Sequence, residues 1–225
     1  MTTDTFGMSG PESIKDPCIL AFDRRFVQRS MRSEQVIKLF RGVGALLEGH
    51  FQLSSGLHSP GYLQCALVLQ HPAHAETLGA ALATCVRVHT PTVVLSPALG
   101  GVVIGHEVAR ALAVRGIFAE RRDDRLMLRR GFTLQESDRV LIVEDVVTTG
   151  GSTRETIAVA QATGANVVGV ATVIDRSGAS ASFCLPFHSL AAVSWPIYEP
   201  SVCPQCVDGV PITKPGSRSG VAVAR

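Results

Sequence analysis

The sequence of 225 residues has no apolar run that approaches the about 20 residues a helix needs to cross a bilayer. Its first residues also lack the pattern of a secretory signal, because acids and prolines stand where such a signal has a basic start and an apolar centre. We therefore expect a cytoplasmic protein with no membrane partner.

Excess charge of either sign is missing as well. Lysine and arginine together number 21 against 19 aspartates and glutamates, which leaves a formal net charge of +2. A chain so close to neutrality has no general electrostatic reason to bind nucleic acid. We expect small molecules, and no nucleic acid, as its ligands.

Cysteine is sparse, with six residues in the whole chain, so reduced thiols are expected rather than a disulfide scaffold. Cys203 and Cys206 stand at the spacing of half a zinc site, and Cys184 and His188 are the upstream residues considered for its completion. No second CxxC or HxxxH pair accompanies them. A structural zinc at Cys203 and Cys206 is therefore the minority interpretation, and no protein metal site is predicted.

What the chain does contain is a regular alternation of short β-branched runs with segments of helical spacing. The runs are TVVLS, RGIFAE, RVLIVED and NVVGVATVI. An amphipathic pattern from Met31 to Leu47 and a helical stretch from about Ala73 to Val88 precede them. The alternation is typical of a parallel sheet with crossover helices. We predict an α/β fold with a central, mostly parallel sheet flanked by helices.

The stretch RVLIVEDVVTTGGSTRE combines a buried strand, two acids, a Gly-rich turn and the start of a helix. Glu144 and Asp145 fall at the carboxyl end of the strand, where open α/β sheets bind ligands. The turn that follows exposes N–H groups and hydroxyls at a helix N-terminus, which favours a phosphate. A phosphorylated ribose satisfies both features, because its hydroxyls can donate to the carboxylates. A solvated strand end followed by an ordinary turn is the weaker alternative.

The segment VLIVEDVVTTGGST resembles the phosphoribosyl pyrophosphate (PRPP) signature of the type I phosphoribosyltransferases. Within that group the chain is similar to the orotate phosphoribosyltransferases, from roughly Ser33 to Ser177. FQLSSGLHSPGYL is similar to their substrate-hood segment, SPALGG to their pyrophosphate loop, and VIDRS to the strand end whose arginine contacts orotate. His58 in the hood segment is the histidine that most merits attention.

The resemblance implies the type I phosphoribosyltransferase fold, with a small N-terminal hood. It also implies Mg²⁺-dependent transfer of ribose 5-phosphate from PRPP to orotate, which gives orotidine 5′-monophosphate and pyrophosphate in the de novo synthesis of UMP. The ion would be carried by PRPP and pyrophosphate oxygens with waters, because Mg²⁺ usually retains several waters. The family usually works as a homodimer, so a homodimer is expected.

The resemblance further implies a role for each matched residue. Glu144 and Asp145 would be catalytic residues whose carboxylates hold the ribose hydroxyls, and Arg176 would pair with the orotate carboxylate. Thr148 would contact orotate as well as PRPP. The implied PRPP site consists of Arg121, Glu144, Asp145, Val146, Val147, Thr148, Thr149, Gly150, Gly151, Ser152, Leu99 and Gly100.

The segment ERRDDRLMLRRGF concentrates five arginines within ten residues. A charge run alone predicts a solvated face. Beside a pyrophosphate site, a mobile basic loop that closes over the anion is the better interpretation. The family match assigns Arg121 to pyrophosphate, and we expect Arg129 or Arg130 to supply the catalytic charge that a loop lysine provides in many relatives of this kind.

The predicted organisation has three parts. Residues 1–30 lack sustained periodicity and are expected to be a disordered extension. Residues 31–200 form the phosphoribosyltransferase domain, with the hood at about 31–70. Residues 201–225 form a Cys-containing C-terminal segment and a loose tail.

Two other functions share the PRPP signature. A purine-type phosphoribosyltransferase would have another base pocket, and FQLSSG and Arg176 favour orotate instead. A non-enzymatic PRPP-sensing regulator should show a DNA-binding element, and residues 1–30 have neither helix-turn-helix periodicity nor concentrated positive charge. The sequence therefore favours the orotate enzyme.

Overall fold

The computed structural model describes residues 31–53, 55–178 and 180–215. The predicted extension, residues 1–30, and the last ten residues of the predicted tail, 216–225, lie outside the described residues. None of the helices in the described part of the chain combines the length and apolar character needed to cross a bilayer.

Strands and helices alternate along most of the chain. The strands are β1 (Leu46–Gln52), β2 (His58–Leu63), β3 (Val93–Pro97), β4 (Arg115–Arg122), β5 (Arg125–Leu128), β6 (Arg139–Val147), β7 (Asn166–Asp175) and β8 (Phe187–Ala192). The helices are α1 (Ser33–Gly42), α2 (Ala66–Leu69), α3 (Pro72–Val86), α4 (Gly101–Leu112), α5 (Gly151–Gln161) and α6 (Pro204–Val207). Short 3₁₀ turns lie at Arg87–His89 and Pro200–Val202.

Six strands form the central sheet in the order β5-β4-β3-β6-β7-β8. All neighbours pair in parallel except β4 and β5, which are antiparallel. The predicted α/β fold with a mostly parallel sheet is therefore confirmed. The central position of β6 follows from its sequence, because a strand covered on both faces must be apolar at successive positions.

The two faces of β6 belong to different cores. Leu141 and Val143 pack in the cluster that includes residues of α1, α3 and α4. Val140 and Ile142 pack in the other cluster, which includes residues of α5. This alternation is the ordinary period of two in a strand, and it sets the direction of the acids that follow.

The hood consists of the antiparallel hairpin of β1 and β2. The C-terminal segment pairs with the hairpin at two places. Tyr198 exchanges two backbone hydrogen bonds with His58, and Thr213 donates to the His50 carbonyl and accepts from the Gln52 amide. Residues on both sides of position 200 are thus attached to the hood.

The sequence prediction differs from the structure at three elements. The amphipathic pattern that runs to Leu47 ends as a helix at Gly42, because Gly44 has a positive φ of 68° and Leu47 already lies in β1. The basic segment is a hairpin rather than a loop, with Asp123 and Asp124 as a two-residue turn between β4 and β5. Strand β8 at the sheet edge was not predicted.

Candidate active site

The adjacent acids of β6 point to opposite faces of the sheet. Glu144 continues the face of Val140 and Ile142, on the side of α5, and Asp145 continues the opposite face, on the side of α4. Because β6 is central and both helices begin at this edge, each acid meets the N-terminus of a different helix. The sequence placed the acids at this edge correctly, and the structure adds their separate surroundings.

Glu144 is buried, with 7% of its surface exposed, and both carboxylate oxygens are hydrogen bonded. The Ser152 hydroxyl donates to Oε1 at 2.5 Å, and the Thr153 hydroxyl donates to Oε2. Burial raises the pKa of Glu144, the two hydroxyl donors oppose this effect, and the charge of Asp145 adds to it. The first turn of α5 therefore fixes the Glu144 carboxylate in one orientation.

Asp145 lies against the loop that precedes α4. A Cβ atom at Gly100 would be only 2.7 Å from Asp145 Oδ1, so the carboxylate packs on the bare backbone of that glycine. The Asp145 carbonyl accepts hydrogen bonds from the Thr172 hydroxyl at 3.1 Å and the Cys65 thiol at 3.7 Å. Burial also raises the pKa of Asp145, and backbone N–H groups oppose this effect.

The Gly-rich turn after β6 leads into α5 through Gly150, which has a φ of 75°. Thr148 and Thr149 are exposed in this turn, and Arg154 donates to the Thr149 carbonyl. The Phe183 ring would lie 2.9 Å from a Cβ at Gly150, so this position requires glycine for both conformation and space. The N–H groups of the first helical turn have no intrahelical partners and can bind an anion.

A second turn of the same kind joins β3 to α4. The peptide bond between Ala98 and Leu99 is cis, and 86% of the surface of Leu99 is exposed. The Ala98 amide donates to the Ala119 carbonyl of β4 at 2.7 Å, which ties the turn to the neighbouring strand. Two helix N-termini thus flank the acid pair, one on each face of the sheet.

Arg176 follows β7 at the same edge of the sheet. Its amide donates to the Val147 carbonyl at 2.7 Å, and its guanidinium carbon lies 4.9 Å from the centre of the Trp195 ring. Its Nε is buried and has no hydrogen-bond partner among the described residues. Burial lowers the pKa of Arg176, and the nearby Tyr62 opposes this effect. An anionic group at this place would satisfy the orphaned donor.

Trp195 connects Arg176 to the hood. A Cβ atom at Gly61 of β2 would be only 2.1 Å from the Trp195 ring, so the indole lies directly on the Gly61 backbone. The stack of hood backbone, indole and guanidinium was not predicted, although Trp195 is the single tryptophan of the chain. Thr153 was missed as well, although it directly follows Ser152 in the signature.

The arginines of the basic hairpin occupy two places. Arg121 bonds to the Asp124 carbonyl at 2.7 Å and to Glu155 of α5 at 3.0 Å. Arg130 forms a bidentate pair with Glu120 at 2.7 and 3.1 Å, and Arg129 lies 3.7 Å from the same carboxylate. Arg121 is therefore held beside the helix that follows the phosphate turn, while Arg129 and Arg130 are held on the hairpin.

The remaining predicted positions lie in the same region. Val146 and Val147 complete β6, and Gly151 and Leu99 flank the starts of the two helices. The structure thus gathers the acids, both turns and Arg176 at one sheet edge. Within the described residues, Arg129 and Arg130 form their hydrogen bonds and ion pairs with Glu120 and not with Glu144 or Asp145.

The interpretation of the C-terminal cysteines needs correction in one respect. Cys203 and Cys206 lie together with His50 and His58, and not with the residues considered from the sequence. His188 Nε2 instead lies 2.8 Å from His89 Nε2. Histidines of a distant hairpin could not be assigned to the cysteines without the fold.

Comparisons with known proteins agree with the geometry. The family model of the phosphoribosyl transferase domain matches residues 66–181. An orotate phosphoribosyltransferase of Carboxydothermus hydrogenoformans is 51% identical over 183 residues, which cover 80% of this chain and 96% of that protein. One from Heliobacterium modesticaldum is 49% identical over 194 residues, which cover 84% of this chain and 100% of that protein.

Solved structures show the same fold. The orotate phosphoribosyltransferase of Mycobacterium tuberculosis, in complex with inorganic phosphate, has a TM-score of 0.59 at 25% identity and covers 70% of this chain and 94% of its own. The enzyme of Aeropyrum pernix has a TM-score of 0.58 at 24% identity, with 70% and 93% covered. With a matching family model over half of its length and relatives about half identical along nearly their whole length, the chain belongs to the orotate phosphoribosyltransferase family of pentosyltransferase enzymes.

Proposed function

We propose that this enzyme transfers ribose 5-phosphate from PRPP to orotate, giving orotidine 5′-monophosphate and pyrophosphate. The observation that carries the proposal is the acid pair between two helix N-termini, with the half-buried Arg176 at the same edge of the sheet, whose buried Nε has no hydrogen-bond partner among the described residues. The reaction takes part in pyrimidine synthesis. A substrate as highly charged as PRPP does not cross a bilayer unaided, so we place the reaction in the cytoplasm.

The 5-phosphate of PRPP binds in the turn formed by Thr148, Thr149, Gly150, Gly151 and Ser152. Backbone N–H groups of the first turn of α5 and the exposed hydroxyls supply the donors. The ribose hydroxyls then lie over Glu144 and Asp145. An ionised carboxylate has about four lone-pair sites, so Glu144 can accept a ribose hydroxyl while it keeps its bonds to Ser152 and Thr153.

The pyrophosphate binds on the other face, at the turn that contains Leu99 and Gly100. The bare backbone of Gly100 allows close approach of an anion, and the start of α4 adds the positive end of a helix. Arg121 supports the same anion from β4. Mg²⁺ enters with PRPP as part of the substrate, held by the oxygens of the pyrophosphate and ribose with waters.

Orotate binds between Arg176, Thr148 and the hood. Its carboxylate accepts a bidentate hydrogen bond from the guanidinium, whose Nε has no partner in the described structure. Trp195 holds the guanidinium from the opposite side and is itself backed by Gly61. This arrangement favours a planar base that carries a carboxylate over a purine without one.

The chemistry needs no covalent protein nucleophile. The bond from the ribose anomeric carbon to pyrophosphate breaks ahead of the bond to the orotate ring nitrogen, so the ribose is cationic between the two events. The ring nitrogen releases its proton to the departing pyrophosphate or to water as the new bond forms. Glu144 and Asp145 hold the ribose hydroxyls close to this developing charge, and cationic groups stabilise the departing pyrophosphate. Groups that are oriented before the reaction stabilise such charge without reorganisation.

Arg129 or Arg130 supplies the catalytic positive charge over the pyrophosphate. Both side chains are exposed and paired to Glu120, so closure of the site requires exchange of that carboxylate for the substrate anion. We also propose a homodimer in which the basic hairpin reaches the site of the neighbouring subunit. This assembly would explain why the two arginines lie away from the acids of their own chain.

The test is the loss of orotate absorbance when purified protein is mixed with PRPP and Mg²⁺. Hypoxanthine, adenine and uracil serve as parallel substrates. Turnover of orotate alone is the expected result. Turnover of a purine instead would replace the substrate but keep the transferase, and PRPP binding without turnover of any base would favour a PRPP-sensing protein.

A further inference from the structure

Four metal-ligating side chains converge at one point between the hood and the C-terminal segment. The ligand atoms of His50, His58, Cys203 and Cys206 all lie within 4.8 Å of one another. Cys203 and both histidines are buried, and Cys206 is exposed. The two halves of the cluster are separated by about 150 residues of sequence, so only the fold brings them together.

Four of the six distances between the ligand atoms are close to the edges of a tetrahedron. His50 Nε2 lies 3.0 Å from His58 Nδ1, 3.5 Å from Cys203 Sγ and 3.6 Å from Cys206 Sγ, and Cys206 Sγ lies 3.2 Å from His58 Nδ1. Zinc bonds of about 2.05 Å to nitrogen and about 2.3 Å to sulfur give tetrahedral edges of about 3.4 Å between nitrogens and about 3.6 Å between nitrogen and sulfur. These four distances differ from the ideal edges by about 0.4 Å or less, so the ligand set is close to the arrangement that zinc requires.

The surroundings of His50 prepare it for a metal. Its Nδ1 lies 2.8 Å from the Val210 carbonyl, which can only accept a hydrogen bond, so Nδ1 carries the proton. The lone pair of Nε2 is then directed at the cluster. This arrangement is the usual one for a metal-bound histidine, whose second nitrogen donates to a carbonyl or carboxylate and thereby fixes the tautomer.

We propose that His50, His58, Cys203 and Cys206 bind one structural zinc ion. Binding releases the thiol protons of Cys203 and Cys206 to solvent and places the proton of neutral His58 on Nε2, so that two thiolates and two imidazoles surround Zn²⁺. The resulting site has no net charge, which suits its burial. Two soft sulfurs and two imidazoles favour zinc over Mg²⁺, which takes oxygen ligands.

The zinc ion joins the hood to the C-terminal segment. His50 and His58 belong to the two strands of the hood hairpin, while α6, which contains Cys206, has four residues and is too short to be stable alone. The backbone pairs at Tyr198 and Thr213 lie on either side of the cysteines. The ion thus fastens a segment that otherwise depends on a few hydrogen bonds.

This attachment also concerns the orotate side of the proposed active site. The hairpin strand that carries His58 contains Gly61, and the Gly61 backbone supports the Trp195 ring beneath Arg176. The zinc ion therefore positions the hood and takes no part in the reaction itself. Its presence does not depend on the proposed catalytic function, because the ligand set stands on its own geometry.

The direct test is the metal content of the untagged full-length protein, purified with a phosphine reductant and measured by inductively coupled plasma mass spectrometry. One zinc per chain that survives dialysis is the expected result. Replacement by Co²⁺ should give the visible d–d bands and the thiolate charge-transfer band of a tetrahedral S₂N₂ site. A reduced, folded protein that retains no zinc after incubation with excess Zn²⁺ would overturn the proposal.

Variants assign the ligands. Cys206→Ser, at the exposed ligand, and His58→Gln should each lower retained zinc at least about tenfold, because loss of even an outer-shell partner of a ligand costs about 10–100-fold in metal affinity. Cys85→Ser and His74→Gln are matched controls outside the cluster and should keep full zinc. Equal zinc in the ligand variants and the controls would place the metal elsewhere and refute the site.

A functional measurement separates this proposal from the proposed reaction. After zinc removal by a chelator, the KM for orotate should rise more than the KM for PRPP, and added zinc should reverse the change in the wild-type protein but not in Cys206→Ser. A reversible change in the KM for PRPP alone would contradict the hood-positioning role. Orotate turnover by a protein that binds no zinc would refute the metal site and leave the transferase assignment intact.

Discussion

At Gly100 the absence of a side chain determines whether Asp145 can take its observed position. The backbone of Gly100 is in the ordinary helical region, with a φ of −57°, so alanine would not be conformationally strained there. The added Cβ would nevertheless lie 2.7 Å from the Asp145 carboxylate. The methyl group of alanine would therefore displace the Asp145 carboxylate without straining the backbone at position 100.

Gly100→Ala should lower kcat/KM for PRPP by about 5–150-fold, because overpacking of about 1–3 kcal/mol must be relieved by rotation of Asp145. The melting temperature should change little, since a flexible carboxylate can move. Steady-state kinetics and thermal unfolding check both expectations. Gly42→Ala is the matched control, because nothing lies within 4 Å of its added Cβ. Equal kinetics in the two variants would argue against Asp145 at the ribose.

Arg176 provides the second test at a single residue. Arg176→Lys keeps the charge but loses the planar fork, so the KM for orotate should rise by about 10–100-fold, which corresponds to about 1.5–3 kcal/mol for a charge-assisted hydrogen bond. The KM for PRPP should change little. Initial rates with each substrate varied separately give the KM for orotate and the KM for PRPP. A uniform rise in both constants would indicate general damage rather than loss of the carboxylate contact.

The pKa of Glu144 depends partly on its neighbour. Asp145→Asn removes the negative charge that raises this pKa, so the pKa of Glu144 should fall, while burial keeps it above the ordinary value of about 4.3. The raised pKa means that the Glu144 carboxyl holds its proton more tightly in the folded protein than in the unfolded chain. The free energy of unfolding therefore falls as the pH rises through the pKa that Glu144 has in the folded protein. That fall should be smaller in the variant. Infrared titration of the carboxyl band, with Glu144→Gln to assign that band, measures the pKa of Glu144 in the wild-type protein and in Asp145→Asn. A higher pKa in the variant would contradict the prediction.

At the scale of elements, β6 and the two helices beside it account for the organisation of the site. Glu144 and Asp145 are successive residues of β6, so their side chains lie on opposite faces of the sheet. Glu144 lies beside the N-terminus of α5, and Asp145 lies beside the N-terminus of α4. The hairpin of β4 and β5 adds the basic groups. Its turn uses Asp123 and Asp124 with φ values of 50° and 62°, a conformation that matches the twist of a two-residue hairpin.

The arginines at the end of this hairpin are tested together. The double change Arg129→Ala and Arg130→Ala should lower kcat by more than about tenfold, because charge at the leaving group acts mainly in the transition state. The matched control is Arg122→Ala with Arg125→Ala, on the same hairpin. The measurement is kcat and KM in both double variants. A loss of kcat below about tenfold in the variant of Arg129 and Arg130 would exclude these two arginines from the mechanism.

At the scale of the whole molecule, the proposed homodimer predicts complementation between subunits. Glu144→Gln lacks an acid, and the double variant of Arg129 and Arg130 lacks the basic end of the hairpin. Mixed dimers would hold one complete site if the hairpin acts on its neighbour. Random exchange should then restore about a quarter of wild-type activity, because half of the dimers are mixed.

The measurement is activity after the two variants are incubated together, with each variant incubated alone as the control. Light scattering on the mixture gives the oligomeric state. No gain above the sum of the separate activities, in a sample that is dimeric and exchanges subunits, would place the hairpin in the site of its own chain.

The sequence by itself determined the α/β class, the strand that carries Glu144 and Asp145, the Gly-rich turn and the family. These features are local, since a buried strand, its terminal acids and the following turn are contiguous and carry their periodicity and turn chemistry in the chain itself. For the basic hairpin the sequence predicts only a loop, because Asp-Asp is a weaker turn signal than Asn-Gly or Asp-Gly.

Only the tertiary structure decided which distant residues meet. Trp195 lies between Gly61 and Arg176, and His50 and His58 join Cys203 and Cys206, across separations that no periodicity encodes. The hood and the C-terminal segment meet through the backbone hydrogen bonds of Tyr198 and Thr213, which join residues far apart in the sequence. The CxxC therefore looked like half a site in the sequence, and the fold supplies the other half.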